Sequence, residues 1–92
     1  MTNMSIKDLL LQVDDFFDLS RKKQRKKREK LARLIISLEQ KKSQIKSKMR
    51  RETRKDKKSK KVYNLCKEFK AITRLIKKAR KREALINKED CC

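Results

Sequence analysis

Along the second half of the chain, apolar residues recur at alternating steps of three and four: Val62, Leu65, Phe69, Ile72, Ile76, Ala79, Glu83 and Ile86, with Glu83 the one polar exception. That spacing gathers the side chains into one stripe and predicts a long amphipathic helix from Val62 onward. The same alternation runs upstream through Gln24, Lys27, Leu31, Leu34, Leu38, Lys41, Ile45 and Lys48, less pure but in phase. Folded back about Lys55, the two stripes pair Leu31 with Ala79, Leu34 with Ile76, Leu38 with Ile72, Lys41 with Phe69, Ile45 with Leu65 and Lys48 with Val62, and Lys27 meets Glu83. Each a position then faces a d position, the register of an antiparallel coiled-coil hairpin. The bend is expected within Thr53 to Lys57, with Asp56 helping to make a turn that has no glycine. Arms of roughly 25 to 30 residues reach about 40 Å. Lys41 and Lys48 fit the seam only with their stems along the apolar surface and their ammonium groups in water.

The first segment has its own stripe, in which Ile6, Leu9, Leu10, Val13, Phe16 and Phe17 recur at helical spacing, and Ser5 followed by Asp8 forms a capping pair at its start. Apolar residues off the hairpin seam, namely Ile35, Ile36, Cys66, Leu75 and Leu85, call for a third surface that this helix can supply. Two readings stay open. Either the short helix packs on the hairpin as a third layer, or Leu9, Leu10, Val13, Phe16 and Phe17 dock into a larger protein partner. The expected fold class is all-α: an antiparallel coiled-coil helical hairpin preceded by a short amphipathic N-terminal helix. Its segments are 1–20 (acidic, amphipathic), 21–90 (the basic hairpin) and 91–92 (a Cys-Cys tail).

Composition supports the all-helical reading, because Gly and Pro are absent and helix-tolerant residues dominate. A chain that is 36% hydrophobic and 4% aromatic over 92 residues cannot fill a large core. Seam burial must also outweigh chain entropy and self-repulsion, so marginal stability in isolation is expected. The best apolar stretch, Ile6 to Leu19, is interrupted by Lys7, Asp8, Asp14, Asp15 and Asp18, which argues against both a membrane span and a secretory signal. Three cysteines without a signal point to a reducing intracellular setting, cytoplasmic or nucleoid/nuclear.

Charge supplies the functional expectation. With 31 Lys and Arg against 12 Asp and Glu, the net charge is +19, and it is unevenly placed: −3 over 1–20, +17 over 21–61 and +5 over 62–92. Such an excess attracts polyanions, nucleic acid above all. Three basic runs are the candidate phosphate contacts. The first contains Arg21, Lys22, Lys23, Arg25, Lys26, Lys27 and Arg28; the second Lys48, Arg50, Arg51, Arg54, Lys55, Lys57 and Lys58; the third Lys77, Lys78, Arg80, Lys81 and Arg82. In the hairpin register the third run falls beside Arg28 to Arg33, so one end of the rod collects bases from both arms while the bend forms a second basic pole. The run RKKQRKKREK resembles the arginine-rich peptides that enter structured RNA and also polybasic nuclear-import signals. The plain alternative is that Lys and Arg occupy whatever positions the seam leaves free. With only Tyr63 and three Phe to stack on bases, binding of DNA or RNA is expected to be mainly electrostatic, in an accessory subunit. The rival function is a coiled-coil adaptor that attaches to a larger protein through its N-terminal helix.

Chemistry is not expected. The chain has no His, no CxxC pair and no Gly-rich phosphate loop, and adjacent acids such as Asp14 and Asp15 diverge on a helix. A non-enzyme is therefore expected, with no cofactor, no metal, no small-molecule substrate and no membrane partner. Cys66 reads as a small apolar residue near the seam. Cys91-Cys92 resembles the double-cysteine ends that receive prenyl groups on small GTPases, but no GTPase domain accompanies it, and an exposed, oxidation-prone tail is expected instead.

Overall fold

Serine opens three of the four helices in the computed structural model, which describes residues 5–55 and 59–90. Ser5 Oγ accepts from the Asp8 N–H at 3.2 Å to start α1 (Ile6–Phe17). Ser20 Oγ accepts from the Lys23 N–H at 3.3 Å to start α2 (Arg21–Lys26), and Ser59 Oγ accepts from the Val62 N–H at 3.2 Å to start α4 (Lys60–Asp90). Each hydroxyl satisfies an N–H that has no partner within its own helix. The fourth helix, α3 (Arg28–Lys55), follows α2 after a one-residue break at Lys27, whose ψ of 23° leaves the helical range. Like charges four apart, Lys22 with Lys26 and Lys23 with Lys27, weaken the helix at that point. Among the described residues there is no strand.

The two long helices pack against each other as a helical hairpin, and α1 lies against both of them. At 28 and 31 residues they are about 42 and 46 Å long, close to the expected arms, and the molecule measures 52 × 23 × 21 Å. One core cluster joins Leu31, Leu34, Leu38 and Ile45 of α3 to Ile72, Ile76, Ala79 and Ile86 of α4. Leu38 and Ile72 are both fully buried in it. Into the same cluster α1 sends Leu9, Val13 and Phe16, each at most 1% exposed, together with the off-seam Ile35 and Leu75. The N-terminal helix is thus a third layer on the hairpin. Ile36 and Leu85 stay about half exposed, so the third layer does not cover every off-seam position.

Two details of the hairpin depart from the sequence reading. Thr53, Arg54 and Lys55, within the expected bend, are still helical, and α4 starts at Lys60. Asp56, Lys57 and Lys58 lie outside the described residues. Phe69, expected opposite Lys41, lies in a groove with Lys46, Met49, Arg50 and Thr53. Met49 then packs on the core beside Leu65 and Phe69, while Lys48, expected on the seam, is exposed. An ammonium group gains by leaving the seam and a thioether by entering it.

Candidate nucleic-acid interface

The densest basic run lacks an apolar face and is fixed by its only uncharged member. Gln24, expected on the hairpin seam, is instead 3% exposed, and its Nε2 donates to the backbone oxygens of Phe16 at 3.3 Å, Phe17 at 3.2 Å and Leu19 at 3.0 Å. Carbonyls at the end of a helix have no partner within it, so one side-chain amide closes the C-terminus of α1 and ties α2 to it. Around this clamp, Arg21, Lys22, Lys23, Arg25, Lys26, Lys27 and Arg28 are all exposed. A shallow recess of about 460 Å³ runs between Lys22, Arg25, Lys26, Arg28 and Glu29. The amide's Oε1 is buried with no hydrogen-bond partner among the described residues.

The third basic run reaches the same end of the rod. Lys78 Nζ lies 4.8 Å and Arg82 Cζ 5.1 Å from the centre of the Phe17 ring, while α2 packs on α4. Phe17 also meets Phe16 edge-on, with ring centres 6.3 Å apart. Cations favour the electron-rich face of a ring, so Phe17 gathers two of the expected phosphate contacts beside the first run. Arg80 has another engagement, an ion pair with Glu39 of α3 that bridges the two arms. Lys77 and Lys81 are exposed.

The second run forms a separate pole near the link. Lys48, Arg50, Arg51, Arg54 and Lys55 are exposed on the last turns of α3, and Lys60 and Lys61 open α4 beside them. Here the core thins, because Met49, Val62, Leu65 and Phe69 are only half-buried. The result is a groove of about 520 Å³ lined by Lys46, Met49, Arg50, Thr53, Arg54 and Phe69. Lys42 Nζ stands 5.4 Å from the Phe69 ring centre, and Lys67 Nζ 4.6 Å from that of the exposed Tyr63.

Of the five residues expected to dock on a partner, Leu9, Val13 and Phe16 are buried within the chain and Phe17 is half-buried under its two cations. Leu10 remains 40% exposed. Sequence reasoning missed Gln24 as a clamp, although a single uncharged residue inside RKKQRKK was the available signal. It also missed the groove, which forms only when two helices meet. Among the described residues no cluster of His, Cys, Asp and Glu is arranged to hold a metal, and no helix is long and apolar enough to cross a membrane. Cys66 is a free, half-buried thiol, and Cys91 and Cys92 lie outside the described residues.

Fold and charge together define a small, strongly basic helical protein with two cationic poles. Comparison with protein-family models, with curated proteins and with solved structures found no match.

Proposed function

We propose that this chain binds nucleic acid, DNA or RNA, chiefly by contacting phosphates at the two basic ends of its helical rod, as an accessory subunit. The observation that carries this reading is the placement of the cations: the apolar seam holds the helices together, and the basic runs face solvent at both ends of a 52 Å body. A duplex presents one charge per about 1.7 Å of axis, so a rod of this length lies alongside many phosphates at once. Packing of the hairpin as a coiled coil, with α3 and α4 side chains interlocking along the seam, is part of the same proposal. It would keep the two poles a fixed distance apart.

The adaptor reading has less support, since Leu9, Val13 and Phe16 already fill the chain's own core. Affinity capture with the full chain as bait, with and without nuclease, separates the two. Nucleic acid is expected in the untreated eluate, and co-captured proteins are expected to be lost on digestion. A stoichiometric protein partner retained after digestion would reverse the assignment.

A further inference from the structure

The chain has four aromatic side chains, and the fold disposes of two of them. Phe16 is 1% exposed, and Phe17 is covered by Lys78 and Arg82. The other two, Phe69 and Tyr63, both belong to the link end of the hairpin and each carries one lysine rather than two cations, Lys42 Nζ at 5.4 Å and Lys67 Nζ at 4.6 Å from the ring centre; Phe69 lines the 520 Å³ groove and Tyr63 is 60% exposed. An aromatic wall in an open groove among cations is the combination that single-strand binding proteins use: bases stack on rings while basic groups follow the backbone.

We propose that this groove takes one unpaired nucleobase against Phe69, with the flanking phosphates on Arg50 and Arg54, so that the link end binds single-stranded or looped nucleic acid in preference to duplex. The inference rests on the nucleic-acid reading above and adds a substrate class to it. Met49 supplies a polarisable, adaptable contact on the groove wall. Thr53 Oγ1 donates its proton to the Met49 carbonyl at 2.6 Å, so the hydroxyl is not free to donate to a base edge. Apart from that hydroxyl, every polar side chain lining the groove among the described residues is cationic. Among the described residues no carboxylate lines it, and Lys48, Arg51, Lys60 and Lys61 continue the positive surface on both arms. A polymer with one charge per nucleotide matches such a continuous track better than a peptide with a single acidic side chain.

The test uses the full chain and fluorescence anisotropy with three probes of equal length: a labelled single strand, the same strand with abasic sites throughout, and a duplex. The base-bearing strand is expected to bind about tenfold or more tighter than its abasic counterpart. Phe69→Leu is expected to shrink that preference to less than about twofold, with circular dichroism reporting whether the helices persist. Phe69→Trp preserves a ring, and its emission should be quenched by the base-bearing strand and not by the abasic one. Equal affinity for both strands with a steep salt dependence would overturn the base site and leave the phosphate reading standing; no binding of either strand would overturn both. An acidic, phenylalanine-containing peptide that binds more tightly than the single strand, and loses that advantage in Phe69→Leu, would assign the groove to a protein partner and overturn the proposal.

Discussion

Gln24 shows how one side chain converts a run of cations into ordered structure. Its two amide hydrogens are shared among the carbonyls of Phe16, Phe17 and Leu19 at and just beyond the end of α1, and nothing else in the Arg21–Lys26 helix is buried. Removing the buried donor takes a partner from the Phe17 and Leu19 carbonyls, while that of Phe16 still accepts from the Leu19 N–H at 3.2 Å, so Gln24→Ala is expected to cost about 1–3 kcal/mol. Gln24→Glu should cost more, because it replaces the donor with a buried charge facing carbonyl oxygens. Urea unfolding followed by circular dichroism measures both; equal stability of Gln24→Glu and the parent chain would refute the clamp. The neighbouring phenylalanines divide in the same way. Phe16→Ala removes a fully buried ring and should cost about 3–5 kcal/mol, whereas Phe17→Leu keeps the apolar bulk and loses cation contacts worth roughly 0.5–1 kcal/mol each.

The helices themselves were largely legible from spacing, since the alternation of threes and fours marks α4 from Val62 onward and the stripe from Leu31 to Leu38 marks α3. Burial of Leu31, Leu34, Leu38, Ile45, Ile72, Ile76, Ala79 and Ile86 follows that pattern directly. Less legible was which residues cover the core near the link, where Met49 and not Lys48 packs on it. A stripe of threes and fours fixes the apolar face of a helix but not where its ends stop packing, and the position of the link decides that. Without Gly or Pro, that position is marked only by Ser59 as the cap of α4, a weak signal within a lysine-rich stretch. The two placements differ at adjacent residues. Met49→Ala should destabilise the hairpin by roughly 1 kcal/mol or more, while Lys48→Ala should fall within about 0.5 kcal/mol of the parent. The reverse order in thermal melts would put Lys48 and not Met49 against the core. Leu38→Ala, in the middle of the seam, is expected to cost about 2–5 kcal/mol.

For the molecule as a whole, a charge of +19 works against the fold and in favour of the ligand. Added salt screens the repulsion between like charges, so the melting temperature should rise with ionic strength while affinity for nucleic acid falls. The basic poles were visible in the sequence as runs, but their grouping was visible only in part: the union of the first and third runs follows from the hairpin, whereas the Phe17 and Gln24 contacts that hold them together required the third helix in place. The most direct measurement of the central claim is affinity for a short oligonucleotide as a function of salt, for the parent chain and for a variant carrying Arg21→Gln, Lys22→Gln, Lys23→Gln and Arg25→Gln. A steep linear fall of log affinity with log salt is expected for the parent, and a shallower one for the variant, with roughly one unit of slope lost for each phosphate contact removed. A flat dependence in the parent, or an unchanged slope in the variant, would contradict the account.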